Sequence, residues 1–293
     1  MWLSVEKIAY TSVPAARQRI LERVVANNVA GHNKMAAQWG VRQCADWGSA
    51  AERYNVRKTF ILGSGYSINE YSKAMFGQVS LGWSVALNAW CQNHWFNPDV
   101  LMVEVLDKTF WGELARTASP GRPSEIFVSR LFTAEQSLTN HLRRVPAGLS
   151  DCVRHYVAVP MLGLSPSSYA DYVSHLLQIK KHVPHVTGPN RTSVERAIVM
   201  AALAGAEEVI LCGIDLNGPS FWEGEPKGVI MSHRTDSGRS FRRSVARRLP
   251  VLASVLKSRL GTTVTLGLER GKLAGVLPVH TWGSGHRPQG RSG

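Results

Sequence analysis

His233 is the side chain in this sequence best suited to move a proton during catalysis. It lies in segment 232–236, and a histidine titrates close to neutral pH, so its imidazole can act as a general base or acid. Asp236 follows three residues later and can either orient the imidazole or cap the next helix. A surface-loop histidine without a catalytic role is the alternative interpretation.

Two glycine-containing turns can bring the backbone close to a ligand. In Gly63-Ser64-Gly65-Tyr66-Ser67, the glycines permit close approach and the helix that follows attracts phosphate. The turn lacks the third glycine of a dinucleotide fingerprint and the lysine of a Walker loop. Segment 213–218 contains Gly213, Asp215 and Asn217, which can bind a ribose hydroxyl. The structural alternative is a tight strand-to-helix turn for the first segment and a turn with an Asx hydrogen bond for the second.

Asn88, Thr192 and Ser193 are further candidates for ligand contacts. Asn88 follows an apolar run, and its amide can bond a base or ribose as donor and acceptor. Thr192 and Ser193 stand at a predicted helix start, where hydroxyls and free backbone N–H groups suit a carboxylate or phosphate. Plain helix capping or a turn would explain the same residues without any ligand.

Alternating apolar runs and helical patterns must position these side chains. The runs predicted as strands are 59–62, 83–87, 100–105, 125–129, 153–159, 208–212 and 263–268. Near-continuous apolar strands separated by helices predict an α/β, Rossmann-like, mostly parallel sheet with helices on both faces. Ligands bind beyond the carboxyl ends of such strands, which is where the candidate residues fall.

Three helical patterns and three regions complete the predicted organisation. A short helix is expected over 67–75. A second helix is expected to begin at Thr192, where Glu195 completes a capping box. A long basic helix is expected over 237–260, and Pro250 should kink or split it. We predict a helical extension over 1–56, a nucleotide-binding domain over 57–279, and a disordered Gly/Ser/Arg-rich tail over 280–293.

The charge balance favours an anionic partner. The 293 residues include 34 Lys and Arg against 21 Asp and Glu, a formal charge of +13. Five arginines of the basic helix can meet an anionic membrane or a nucleic-acid backbone, or can simply form a solvated helix face. They are Arg239, Arg242, Arg243, Arg247 and Arg248.

The cysteine content and hydropathy predict a reducing compartment and no membrane span. None of the four cysteines forms a Cys-x-x-Cys pair, and neither a secretion signal nor a run of about 18 apolar residues is legible. We expect a cytoplasmic protein, free or peripheral at the inner face of the membrane. His182 and His185 lack acidic or cysteine companions, so no metal site is predicted.

Together these segments resemble the bacterial sialyltransferase family typified by the Campylobacter lipooligosaccharide enzymes. The resemblance rests, in chain order, on Gly63-Ser64-Gly65-Tyr66-Ser67, Asn88, Thr192-Ser193, the run Val-Ile-Leu-Cys-Gly-Ile-Asp at 209–215, and His233 with Thr235-Asp236. It covers 58–278 in patches. Maf-type flagellin glycosyltransferases and a hydroxymethylpterin diphosphokinase group share several of the signatures, so the fold is better specified than the substrate.

The resemblance implies a CMP-sialic acid donor, transfer without a metal, and no cofactor beyond the nucleotide-sugar substrate. By the same resemblance, Gly63, Gly65 and Ser67 would line the phosphate region, and Asn88 would contact the ribose or phosphate. Thr192 and Ser193 would hold the donor carboxylate or nucleotide. Gly213 and Asp215 would flank the base and ribose. His233 would deprotonate the acceptor hydroxyl of a glycan or lipid-linked glycan.

The sequence departs from the family at the leaving group. The family places two tyrosines after Gly-Ile-Asp to stabilise the departing phosphate, whereas this chain has Phe221, which cannot donate a hydrogen bond. Losing such a donor costs about 3–4 kcal/mol in comparable sites. Ser220, Lys227 or Arg234 substitutes for it, or the donor substrate differs.

Smaller departures affect the first turn and the histidine segment. Ser64 stands where the family usually has Asn, and Tyr66 where it has Pro. The spacing from His233 to Thr235-Asp236 is two residues shorter than in the family. These differences bear on the identity of the donor sugar more than on nucleotide binding.

Three other functions remain compatible with the same residues. A glycosyltransferase acting on modified DNA bases would use the basic helix to grip DNA, and its affinity would fall with salt. A pterin diphosphokinase-like enzyme would need ATP and magnesium. A non-catalytic nucleotide-binding module would function unchanged after His233→Ala.

Overall fold

The computed structural model describes residues 51–88, 90, 96–103, 125–130, 152–159, 166–179, 186–189, 192–216 and 236–283, with residues 19, 23, 30, 42 and 43. Within this part of the chain, one sheet of nine strands forms the centre of the molecule. The strands are β1 (Arg42–Gln43), β2 (Lys58–Leu62), β3 (Trp83–Leu87), β4 (Val100–Val103), β5 (Glu125–Arg130), β6 (Val153–Val159), β7 (Val186–Pro189), β8 (Glu208–Cys212) and β9 (Thr263–Leu266).

The sheet is parallel throughout, because every one of its strand pairs has parallel register. Its order is β1-β6-β5-β4-β3-β2-β8-β9, with β7 also pairing β6. From β2 the chain adds strands outward to β6, and it then returns to place β8 on the other side of β2. The topological switch point, where open α/β sheets bind their ligands, therefore lies between β2 and β8.

Helices cover both faces of the sheet. They are α1 (Lys73–Val79), α2 (Pro166–Ile179), α3 (Ser193–Ala204) and α4 (Asp236–Leu260), and 3₁₀ turns form at Tyr66–Glu70 and Gly271–Leu273. Adjacent residues of a strand point to opposite faces. Ile61 accordingly packs with residues of α2, α3 and α4, whereas Phe60 and Leu62 pack with Met75 and Val79 of α1. This arrangement confirms the predicted Rossmann-like α/β class.

Two predicted helices differ in detail from the observed ones. The helix expected over 67–75 is instead a 3₁₀ turn followed by α1, because Tyr71 is extended (φ −78°, ψ 126°) and Ser72 caps α1 through Met75 N. Pro250 does not split α4, which runs continuously through it. The buried stripe of Val245, Leu249 and Leu252 holds the two halves against the core.

The ends of the predicted domains also differ from expectation. Within 1–56, residues 19, 23 and 30 are helical, but Arg42–Gln43 forms β1 and pairs with β6. The tail predicted to be disordered from 280 begins with packed residues. His280 is buried, its Nδ1 lies 2.8 Å from Glu208 Oε1, and Trp282 Nε1 donates to Gly267 O.

Candidate functional site

Two glycine turns leave the sheet side by side at the switch point. Leu62 of β2 pairs with Cys212 of β8, so the segments after them start together at the carboxyl edge. The Gly63 amide donates to Cys212 O at 2.8 Å, and the Gly65 amide donates to Gly213 O at 2.7 Å. A Cβ on Gly63 would lie 2.6 Å from Gly213 O, so only glycine permits this approach. Ser64 is half-buried between the two glycines.

Asp215 ties these turns together. Its carboxylate accepts hydrogen bonds from the Ser67 amide, at 2.9 Å, and from the Ser67 hydroxyl. Its own carbonyl accepts from the Lys272 amide at 2.9 Å, and Gly271 leaves room for it. The Asp215 side chain is buried, and its two carboxylate oxygens both face Ser67 in the 3₁₀ turn. Both the amide and the hydroxyl of Ser67 are therefore hydrogen-bonded to Asp215.

Asn88 and Ser193 meet beside this pair of turns. Asn88 follows β3, the neighbour of β2, and adopts a left-handed conformation (φ 44°) that asparagine tolerates better than most residues. Its Nδ2 donates to Ser193 Oγ at 2.7 Å. Ser193 is the first residue of α3 and is buried. The bond joins the carboxyl end of β3 to the positive end of a 12-residue helix.

Thr192 caps α3 as the sequence predicts, and its single hydroxyl proton is donated to Glu195. Oγ1 accepts from the Glu195 amide at 3.0 Å and donates to Glu195 Oε2 at 2.9 Å. The two predicted ligand contacts at this helix start therefore differ. Thr192 serves the helix, whereas Ser193 faces Asn88.

Glu195 is the centre of a buried ionic network that the sequence patterns did not indicate. Its carboxylate accepts hydrogen bonds from Arg248 Nε at 2.7 Å, from Arg248 Nη2 at 2.9 Å and from the Tyr169 hydroxyl at 2.9 Å. Burial and then the Glu195 charge raise the pKa of Tyr169 well above its usual value, so the phenol keeps its proton and donates. Burial alone would lower the pKa of Arg248, but pairing with Glu195 raises it.

The position of Arg248 corrects one prediction. The sequence predicts it among the arginines available to a membrane or nucleic acid, yet it is 6% exposed and bonded to Glu195. Arg243 and Arg247 are exposed and remain available to a partner. Arg239 and Arg242 belong to α4, but their side chains lie outside the described part of the chain.

Several predicted site residues also lie outside the described residues. They are Asn217, Ser220, Lys227, His233 and Arg234. The structure thus brings together Gly63, Ser64, Gly65, Gly213 and Asp215, and beside them Asn88, Thr192 and Ser193. Their predicted roles toward a nucleotide stay predictions.

The described ranges contain neither a metal-binding cluster nor a membrane-spanning helix. Among those residues, no cluster of three or more His, Cys, Asp or Glu side chains could hold a metal ion. In the same ranges, no helix combines the length and apolar character needed to cross a membrane.

Comparison with known proteins gave matches at the level of structure. No family model matches the sequence, and no curated protein matches it. The monofunctional α-2,3-sialyltransferase Cst-I of Campylobacter jejuni has a TM-score of 0.46 and 13% identity, over 77% of this chain and 80% of that one. A Maf glycosyltransferase of Magnetospirillum magneticum has a TM-score of 0.46 and 15% identity, over 85% of this chain and 36% of that one.

Proposed function

We propose that this protein is a glycosyltransferase that binds a nucleotide-sugar at the carboxyl edge of its sheet. One observation carries the proposal: the turns after β2, β3 and β8 leave neighbouring strands at the switch point, and Asn88 there is bonded to Ser193. Open α/β sheets bind nucleotides at this place. The order of these turns along the sequence, which resembles that of bacterial sialyltransferases, supports a sugar donor.

The donor that fits best is a CMP-activated sialic acid or a related nonulosonic acid. Such a donor carries a phosphate and a carboxylate, and both are stabilised near the start of a helix. Ser193 is the better contact for either anion, because the Thr192 hydroxyl already bonds Glu195 in both directions. Asn88, held 2.7 Å from Ser193 Oγ, would contact the ribose or phosphate.

In the proposed reaction His233 removes the proton of the acceptor hydroxyl. The acceptor oxygen then forms a bond to the anomeric carbon while the bond from that carbon to the donor phosphate breaks, releasing the nucleoside monophosphate. Ser220, Lys227 or Arg234 would stabilise the leaving phosphate in place of a metal. Turnover should therefore persist in excess EDTA, and His233→Ala should abolish turnover while leaving donor affinity unchanged.

A thermal-shift panel with CMP, UDP, GDP and ATP, each with and without magnesium, tests the proposed donor class. We expect a CMP-selective rise in melting temperature that does not require the metal. A rise with ATP and magnesium alone would instead favour a diphosphokinase-like enzyme. No rise with any nucleotide would overturn the proposal.

The acceptor is proposed to be a glycan or lipid-linked glycan presented at the inner face of the membrane. The exposed side chains of Arg243 and Arg247 support an anionic surface as partner, as does the net charge of +13. Flotation with vesicles rich in anionic lipid, compared with neutral vesicles, measures this directly. Tight, salt-sensitive binding to duplex DNA without vesicle binding would favour the glycosyltransferase acting on DNA bases.

A further inference from the structure

Arg248 fixes the position of a fully buried carboxylate. The Glu195 side chain is 0% exposed, and the Arg248 guanidinium grips it with two parallel hydrogen bonds of 2.7 and 2.9 Å. A bidentate guanidinium–carboxylate pair constrains direction as well as distance. Since Arg248 belongs to α4 and Glu195 to α3, the pair sets how these two helices meet.

The constraint continues from Glu195 to the residues of the proposed donor site. Glu195 Oε2 receives the Thr192 hydroxyl at 2.9 Å, and the same hydroxyl accepts from the Glu195 amide. Thr192 is the N-cap of α3, so its position fixes the first turn of the helix. Ser193 is the next residue, and its Oγ lies 2.7 Å from Asn88 Nδ2.

Arg248 also controls the charge of this region. Without a cation, the Glu195 carboxylate would stand two residues from Ser193 and oppose an anionic ligand there. The guanidinium neutralises the carboxylate in place. The carboxylate therefore does not cancel the positive end of α3 beside Ser193.

We propose that Arg248 is a positioning residue of the donor site, acting through Glu195 and Thr192 to place Ser193 against Asn88. The inference rests on the proposed function for the identity of the ligand. The placement of Ser193 can be measured without any ligand.

The decisive variant is Arg248→Lys, which keeps the positive charge but loses the two-pronged hydrogen bond. In the ligand-free variant, the side-chain NH₂ resonances of Asn88 should shift toward the positions that they have in the Ser193→Ala protein, where the bond to Ser193 Oγ is absent. The affinity for CMP, measured by calorimetry, should fall by about tenfold, as expected for loss of a charge-assisted contact. The double variant Arg248→Lys with Ser193→Ala should bind CMP no more weakly than Ser193→Ala alone.

Arg247→Lys is the matched control, because Arg247 is the adjacent arginine and is exposed. It should change neither the Asn88 resonances nor the CMP affinity. If Arg248→Lys proves too unstable to study, Glu195→Gln with Arg248→Met removes both charges together, which is often tolerated in buried pairs. The double variant also lacks the bidentate hydrogen bond between residues 248 and 195, so the Asn88 resonances should shift in it as well.

Unchanged Asn88 resonances and unchanged CMP affinity in folded Arg248→Lys would overturn the inference, even if the melting temperature fell. That result would leave Arg248 with a role in stability alone. If CMP binds neither the wild type nor the variants, the proposed function fails, and the Asn88 resonances alone then decide whether Arg248 positions Ser193.

Discussion

At the scale of single residues, the glycines of the first turn serve the packing of the chain against itself. A Cβ on Gly65 would lie 2.6 Å from both Asp215 Oδ2 and Gly213 O. Asp215 in turn holds the amide and hydroxyl of Ser67. The turn after β2 and the turn after β8 are therefore one unit, and a ligand at this edge meets a surface already fixed by Asp215.

Gly65→Ala should destabilise the protein, whereas Gly77→Ala should stabilise it. The first places a methyl group against a carboxylate and a carbonyl, and overpacking of this kind costs about 1–3 kcal/mol. Gly77 lies in α1 with no atom within 4 Å of its would-be Cβ, so alanine should gain about 0.5–1 kcal/mol. Urea denaturation measures both free energies of unfolding. A Gly65→Ala protein as stable as wild type would show that Asp215 moves away without cost.

Arg248 illustrates what residue types alone could and could not predict. Charge alone places Arg248 with the other arginines of α4, but it lies three residues after Val245 and four before Leu252, on the buried stripe. Helical spacing was thus a signal for its burial. Its partner Glu195 is 53 positions away, and no local pattern indicates a contact over that separation.

At the scale of elements, α4 tolerates a proline in its interior. Pro250 cannot donate to the carbonyl four residues earlier, and its ring crowds that turn. The helix nevertheless runs from Asp236 to Leu260, because Leu249, Leu252 and Leu256 are buried on the same stripe. Burial of this face outweighs the local cost, which is why the helix does not split at Pro250, one of the two outcomes predicted from the sequence.

Pro250→Ala should raise the stability of the protein by about 2–3 kcal/mol, the difference between the two residues inside a helix. The expected result is a higher urea midpoint with an unchanged slope. Ser254→Ala, on the exposed side of the same helix, should stay within about 0.5 kcal/mol of wild type. A destabilised Pro250→Ala protein would indicate that the core requires a bend at this position.

The strands were predicted well where burial leaves a continuous apolar run. The bounds of β3, β6 and β8 agree with the sequence prediction, and all are central or internal strands of a parallel sheet. The strands β1 and β7 were missed. β1 has only two residues, and β7 contains glycine and proline, so neither has a strand pattern in its sequence. Both are strands only because they pair with β6.

At the scale of the whole molecule, the segment after the last strand closes one face of the sheet. Trp282 stacks on Phe60 of β2, with centroids 6.0 Å apart, and meets the edge of Tyr71 at 5.6 Å. Its Nε1 donates to Gly267 O at 2.6 Å. A residue near the end of the chain thus covers the strand that leads into the candidate site.

Trp282→Ala should lower the free energy of unfolding by about 2–3 kcal/mol, since it removes the contacts of a half-buried indole with Phe60 and Tyr71. Trp282→Phe is the matched control: it keeps an aromatic ring but loses the hydrogen bond to Gly267 O and part of the indole contact area, which together should cost about 1–2 kcal/mol. Chemical denaturation distinguishes the two. Equal stability of all three proteins would mean that the segment does not contribute to the fold.

The central claim is that a nucleotide's charged end binds where β3 and α3 meet. Calorimetric titration of CMP into the wild type and into Ser193→Ala tests it most directly. We predict measurable binding to the wild type and affinity weaker by about tenfold in the variant, the loss expected for one hydrogen bond to a charged group, with the free variant still folded. Equal affinities, or no CMP binding to a folded wild type, would contradict the claim.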